Sequence, residues 1–557
     1  MKSIFSSIKN IFNKFIHYIN TNKIQSIQIS FIVLIHIAMV RVIHIHWKNR
    51  GKSAFNTNIF HNSKTLIYDR NGEFLTTIKN IPHLIIDISW YKHLEIHERK
   101  CIFNYFINYN HHLKKLSFDD WDHRLMNSSI KFIEIKLKCK KNQLDSIEDF
   151  IIPFNKKKKV LTITKKSNKF LCYPNSLAYI IGLPVEDGFN FSSVTKFLNQ
   201  QKPEISKIQL TIDIRIQESS YQWAHHLWKL YNAKSVWICI IDLEERELLA
   251  SVSVPSFDPN ADKIFINFNN TDRIFNHKYE MGSICKILSY LYYCSDYSGL
   301  NYNGNTLIDI PSVFKIGRFE IKDVAKFNSK ELFSTCFVKS SNKAFGSIMA
   351  RINNPQRYLD FLNDLGINDH IDMDGVFKDK PFIIKKLNGP QAITLAYGYG
   401  VMFSPLRFLY MIANGVTGEK KPFHIVKNMK NSMGESIFYR NHWTKPVLDS
   451  QVTQELYKTL EILGKGFDPL YKLGAASKTG TTKAFANGQY LTNGINCTLM
   501  TMYPINKPRY LIFFCVENPQ NGPRKVSHYY TRMNMAPIFN DIKKALDENT
   551  AKNQKKI

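Results

Sequence analysis

An α+β fold is predicted for this chain: one sheet built from segments at both ends of a long C-terminal region, with helices between them. A smaller α+β module and a single apolar anchor precede it. Three observations carry that reading. SVWICIIDL from Ser235 and ELLASVSVP from Glu247 read as neighbouring strands joined by a charged turn. Two further strand-like runs, Gly494–Met502 and Arg509–Glu517, stand near the other end, followed by a helix-like stretch at Met535–Leu546. Strands that bracket a helical region close into one sheet made of its first and last segments. Finally, 557 residues exceed what one hydrophobic core fills, so two or three domains are expected.

Taken from the start, residues 1–48 hold no Asp or Glu, the first acid being Asp69. Residues 24–46 are apolar, with ISFIVLIHIAMVRVIHI at their heart, and are long enough to span a bilayer as a helix. Lys2, Lys9, Lys14 and Lys23 precede them, which by the positive-inside rule keeps residues 1–23 in the cytoplasm. Arg41 lies near the far end, where its head can snorkel to the interface. No A-x-A-like site follows, so an uncleaved anchor is read in preference to a signal peptide. A buried core helix is the competing reading.

Residues 47–205 form the next expected unit. Thr65–Tyr68 and Glu73–Ile78 are strand-like, and the Asn71-Gly72 pair between them is a hairpin signal. From residue 80 onward the text is mixed and basic, with a turn at Tyr173-Pro174-Asn175, consistent with an elongated α+β module of modest core. The character changes near Ile208, where QLTIDIRIQ leads into a helical stretch and opens the unit expected over residues 206–548. Residues 549–557 are rich in Lys, Asn and Gln and are expected to be disordered.

The net charge of +29 invites nucleic acid, an anionic membrane face or an anionic polymer as partner. The excess is spread along the chain, though, and the sustained run Lys156–Lys159 lacks interleaved aromatics. With no zinc-finger, basic-zipper or RNA-recognition signature, nucleic acid is set aside. The nine cysteines are scattered with no C-x-x-C, which fits neither a disulfide framework nor a zinc site. Cys239 in VWICIID and Cys515 in LIFFCVE read as small buried hydrophobes.

Three motifs carry chemistry, in order. Ser283-Ile284-Cys285-Lys286 puts a hydroxyl and an amine three residues apart, on one face of a helix. A buried Lys whose pKa falls on desolvation can take the serine's proton, and a helix N-terminus beneath the serine would steady developing negative charge. An amphipathic helix with incidental Ser and Lys is the alternative. Ser340-Ser341-Asn342 supplies a second hydroxyl able to relay a proton, and an amide able to donate to Lys or to a substrate peptide. Helix N-capping explains the same residues equally well. Lys478-Thr479-Gly480, continued by Thr481, offers a cation and hydroxyls for a carboxylate, on a strand where Gly480 would let a substrate backbone approach. A solvated turn is the alternative. S-x-x-K, S-D-N and K-T-G occur together in penicillin-recognising serine enzymes.

With those motifs in order, the chain resembles the class B penicillin-binding proteins, and within them the division-type peptidoglycan D,D-transpeptidases. The likeness extends to DRNGEFL, YPNSLAYIIG, LTIDIRIQ, SVSVPSFDPN, LAYGYGVMFSPLRFLYMIANG and PRYLIFFCVENPQ, covering about residues 28–546. The resemblance implies a PBP dimerisation-type pedestal over 47–205 and a serine β-lactamase-like transpeptidase domain, an antiparallel sheet covered by helices, over 206–548. It implies Ser283 as nucleophile, Lys286 as base, Ser340 as relay and Asn342 as a positioning group. Lys478, Thr479, Gly480 and Thr481 would bind the substrate carboxylate, and the backbone N–H groups of Ser283 and Thr481 would form the oxyanion hole. No cofactor or metal is implied. The implied partners are pentapeptide stems on lipid-linked or polymeric glycan, β-lactams as inhibitors, the membrane, an FtsW-like glycan polymerase and other division proteins. The implied location is the bacterial inner membrane, single-pass, with the catalytic domain periplasmic. Met281, Ile284-Cys285, Ser477, Thr482 and Tyr179 depart from the family's usual residues without removing a catalytic group. A D,D-carboxypeptidase or β-lactamase relative, and a catalytically weak scaffold of the division complex, are the rival readings.

Overall fold

The computed structural model describes residues 65–554, apart from 111–112, 157, 183–192, 202–204, 262–271, 276, 380–382, 468, 487–488 and 522–526. The anchor expected over residues 24–46 and the tail before it lie outside the described residues. Among the described residues no helix is long and apolar enough to cross a membrane.

The chain enters through β1 (Leu66–Tyr68) and turns at Asp69, whose carboxylate accepts from the backbone N–H groups of Asn71 and Glu73 at 2.7 and 2.9 Å. Tyr68 and Phe74 pair antiparallel across this turn, so a tight local hairpin does form. Its two arms then part. β2 (Thr76–Asp87) pairs antiparallel with β3 (Phe132–Lys136) and with β4 (Leu161–Leu171) in a three-stranded sheet, order β3-β2-β4. Helices Ile96–Phe106, Phe118–Met126 and Lys141–Ile151 accompany it, and a core of its own includes Leu84, Ile86, Phe103, Trp121 and Ile147. β1 instead runs parallel to β5 (Ile205–Leu210), whose other edge pairs antiparallel with β8 (Val426–Asn431).

The large sheet uses β6 (Ser235–Asp242), β7 (Glu247–Val254), β9 (Ala476–Ala486), β10 (Gln489–Tyr503) and β11 (Tyr510–Glu517). Its order is β9-β10-β11-β6-β7, and every adjacent pair is antiparallel. The last strands therefore dock on the first, as a sheet closed by its end segments requires. β6, β7 and β11 are buried along their whole length because both faces are covered. Val236, Ile238 and Ile240 face one core with α1 (Ile214–Leu230) and the C-terminal helix Ser527–Gln554. Trp237, Cys239 and Ile241 alternate to the opposite face, in the larger core. There α2 (Lys286–Cys294), α3 (Phe333–Val338), α4 (Asn342–Ile352), α5 (Pro405–Thr417) and α6 (Ser450–Phe467) pack.

One terminal expectation needs correction. The stretch from Asn549, expected to be disordered, continues the C-terminal helix through Gln554. Asn549 is buried and donates to Asp213, the N-cap of α1, at 3.0 Å, while Thr550 and the Tyr510 hydroxyl lie 2.9 Å apart. A polar composition with tertiary anchors does not stay loose.

Candidate active site

Ser283 stands in a single 3-10 turn, Gly282–Cys285, that precedes α2. In such a turn residues i and i+3 eclipse one another, which brings Lys286 onto the serine more directly than an α-helical spacing would. Lys286 Nζ lies 2.7 Å from Ser283 Oγ, 2.7 Å from Asn342 Oδ1 and 3.3 Å from Ser340 Oγ. Its side chain is wholly buried, and the Phe345 ring centroid is 5.9 Å from the nitrogen. Burial pushes its pKa down to about 7, against smaller upward pulls from Asp323 and Cys285.

The second motif owes its geometry to two helix ends meeting. Ser340 has φ +62, the left-handed conformation that closes α3. Ser341 N–H donates to the Cys336 carbonyl at 2.9 Å and Ser340 N–H to that of Phe337 at 3.1 Å, the paired bonds of a Schellman ending. Ser341 is at once the N-cap of α4, accepting from the Ala344 N–H at 2.9 Å. The capping reading therefore holds for Ser341, and the cap fixes where its neighbours lie. Ser340 Oγ is delivered between two lysines, 3.3 Å from Lys286 Nζ and 3.0 Å from Lys478 Nζ. Asn342 differs from expectation in polarity, since its amide oxygen accepts from Lys286 while its nitrogen donates to the Lys322 carbonyl at 3.1 Å. Lys286 donates to Asn342 through an N–H, and the amide oxygen is the end of the side chain that can accept it.

Lys478, Thr479, Gly480 and Thr481 lie on β9, the end strand of the large sheet. Lys478 is buried, with Nζ 3.1 Å from the Thr479 carbonyl and 5.9 Å from the Phe337 ring centroid. Gly480 also has a purpose inside the fold. A Cβ there would meet the protein itself, 2.8 Å from the Met281 carbonyl oxygen and 3.4 Å from Ile284. Its missing side chain lets β9 lie flat against the Ser283 turn. From the other side, a Cβ on Gly282 would sit 3.1 Å from the Thr481 carbonyl oxygen, so the Ser283 and Thr481 backbones are neighbours.

Sequence reasoning assigned no role to four groups that hold this arrangement. Gly398 accepts the Gly282 N–H at 3.0 Å, and any Cβ on it would run into the Gly282 carbonyl. Glu280 accepts from the Gly400 N–H at 2.8 Å and from the Tyr490 hydroxyl at 2.9 Å. The Tyr399 hydroxyl donates to the Thr481 carbonyl at 3.2 Å. The fourth such group is Asp323, which accepts from Ser341, Asn342 and Lys343. A GYG run beside a nucleophile turn is a usable signal for the first. For Asp323 the linear sequence offers none.

A hydroxyl against a buried amine of lowered pKa, linked through a second hydroxyl to a second cation, is the arrangement of an activated serine nucleophile. The chain belongs to the penicillin-binding protein transpeptidase domain family, whose profile matches residues 236–544, more than half of its length. Among curated relatives it is 26% identical over 350 residues to peptidoglycan D,D-transpeptidase FtsI of Buchnera aphidicola subsp. Schizaphis graminum, covering 62% of this chain and 58% of that one. It is 24% identical over 356 residues to peptidoglycan D,D-transpeptidase FtsI of Escherichia coli K12, covering 60% and 55%. The alignments thus span under two thirds of these two relatives. Probable peptidoglycan D,D-transpeptidase PenA of Neisseria flavescens is 24% identical over 344 residues, covering 60% of this chain and 80% of that one.

Solved structures share the fold. Penicillin binding protein 3 from Mycobacterium tuberculosis, complexed with aztreonam, superposes with a TM-score of 0.60 at 17% identity, covering 88% of this chain and 96% of that one. A peptidoglycan synthetase from Bifidobacterium adolescentis gives 0.58 at 14%, covering 86% and 95%.

Proposed function

We propose that this protein is a serine D,D-transpeptidase that crosslinks peptidoglycan stem peptides during septal wall synthesis. The observation that carries the reading is the unbroken chain Ser283 Oγ–Lys286 Nζ–Ser340 Oγ–Lys478 Nζ, with steps of 2.7, 3.3 and 3.0 Å. Neutral Lys286 takes the Ser283 proton as Oγ attacks the carbonyl between the two terminal D-alanines of a pentapeptide stem. The oxyanion is met by the backbone N–H groups of Ser283 and Thr481, a type of contact worth about 3–4 kcal/mol per donor. As the tetrahedral species collapses, the C–N bond breaks and Ser340 passes its proton to the departing D-alanine amine while taking up the one that Lys286 holds, which returns Lys286 to the neutral form. Lys478, Thr479 and Thr481 hold the terminal carboxylate until it leaves. An amine from a neighbouring stem then attacks the Ser283 ester and gives up its proton to Lys286; the bond from the acyl carbon to Ser283 Oγ breaks as Lys286 returns that proton to Oγ, leaving the crosslink and the free serine.

The proposal extends to the whole chain. Residues 24–46 anchor the chain in the inner membrane, with 1–23 in the cytoplasm, a pedestal over 47–205 and a periplasmic catalytic unit over 206–548. An FtsW-like glycan polymerase and other division proteins are its partners, and β-lactams are its inhibitors. Labelling with a fluorescent penicillin tests the chemistry: wild type is expected to form a stable adduct, and Ser283→Ala, while folded, none. An adduct that survives Ser283→Ala, or a folded wild type that forms none, overturns the assignment.

A further inference from the structure

We propose that Asp323 is the positioning residue of this site: it fixes the second motif and, through it, the polar groups set around Lys286. The proposal rests on the acyl-transfer reading above. Asp323 lies on the connection before α3, 18 to 20 residues ahead of the groups it holds. Its Oδ1 accepts from the backbone N–H groups of Asn342 and Lys343, at 2.5 and 3.1 Å, and its Oδ2 accepts from the Ser341 hydroxyl at 2.7 Å. These are the orphan donors of the first turn of α4, where a carboxylate also meets the positive end of the helix dipole. The preceding residue completes the grip, because the Lys322 carbonyl accepts the Asn342 amide N–H at 3.1 Å. That bond decides which end of the amide faces Lys286. With the nitrogen turned away, Asn342 Oδ1 is left 2.7 Å from Lys286 Nζ. One carboxylate and one carbonyl, adjacent in sequence, thus hold both the backbone and the side chain of the motif.

The second role is electrostatic. The groups facing Lys286 are Ser283 and Cys285 on its own turn, Ser340 and Asn342 at the meeting of α3 and α4, and Lys478 of β9 across the shared Ser340 hydroxyl. Asp323 is the carboxylate whose charge favours the protonated form of Lys286, against the dominant push of burial. Removing its charge while keeping its shape must therefore make Lys286 easier to deprotonate.

Three variants of the full chain separate these roles by penicillin acylation measured across pH. Asp323→Asn keeps an acceptor for the α4 amides, so its acidic limb is expected at lower pH than that of wild type. Asp323→Ala loses cap and charge, and its plateau rate is expected to fall at least tenfold. Asp323→Glu is expected to restore part of that rate. In parallel, NMR titration of the Lys286 side chain in Ser283→Ala and in Ser283→Ala/Asp323→Asn reads the same shift without any acylation. A wild type that fails to acylate sinks the enzymatic reading while the NMR comparison still judges Asp323. Coincident titrations in the two backgrounds, or an Asp323→Ala rate equal to wild type, overturn the proposal.

Discussion

Burying Lys286 beside Ser283 weakens the folded protein whenever the ammonium is charged. Its pKa falls to about 7 in the fold from an ordinary 10.5. Below pH 7 the amine is charged in both folded and unfolded chains, and the full penalty of a buried charge is present. Between pH 7 and 10.5 the unfolded chain holds a proton that the folded one has shed, so stability rises with pH across that window. Lys286→Met is accordingly expected to abolish penicillin acylation yet to raise stability, on the order of 1–4 kcal/mol below pH 7. Denaturant midpoints should show that gain shrinking toward pH 10. A variant less stable than wild type at pH 6 would contradict it. Wild-type acylation should climb with pH through about 7 and then level off, as the free base accumulates. Ser283 and Lys286 were legible in the sequence because local geometry fixes their three-residue spacing. Asp323 was not, since its partners lie beyond an intervening strand, Lys330–Leu332, and helix α3.

Elements meet at this site through glycines. β9 approaches the nucleophile turn only because Gly480 has no side chain to strike the Met281 carbonyl. Gly480→Ala must shift backbone, which costs about 1–3 kcal/mol in overpacking. The displaced strand carries Lys478 with it, so acylation is expected to drop by about 100-fold, the size of effect that a 1 Å misplacement produces. Stopped-flow acylation with far-ultraviolet circular dichroism as the folding control checks this; a folded variant reacting at the wild-type rate would refute it. β6 and β11 were readable as nearly continuous apolar runs, and β7 as the largely alternating ELLASVSV. β10 was expected from Gly494 but begins at Gln489, because Gln489 and Tyr490 are ordered by pairing with Ala486 and Phe485 of β9. Their own polar text does not specify a strand. The Asn-Gly hairpin was visible too, yet the parting of its arms into two sheets depends on β4 and β5, which a local turn signal cannot report.

On the scale of the whole molecule, the segment after residue 65 is tied into the unit that holds the large sheet rather than merely leading to it. β1 pairs with β5, Arg70 forms a buried ion pair with Glu247 of β7 at 3.1 Å, and Asp69 accepts from the Ile214 N–H at the start of α1 at 3.2 Å. The anchor proposed for residues 24–46 implies a topology that can be tested directly. A reporter fused after residue 60 is expected to be active outside the cytoplasm, and activity confined to the cytoplasm would reverse the proposed topology. Charge asymmetry and hydropathy made that proposal readable, whereas the tethering ion pair joins residues 177 apart and left no trace in the sequence. The cysteines give the closed shape a further use. None is paired; Cys101 and Cys172 are exposed and Cys139 is partly so, while Cys239, Cys285, Cys294, Cys336, Cys497 and Cys515 are sealed inside. Their sulfurs form a built-in clock: a thiol reagent tags the outer three at once, and the pace at which the inner six follow is the pace at which the interior opens.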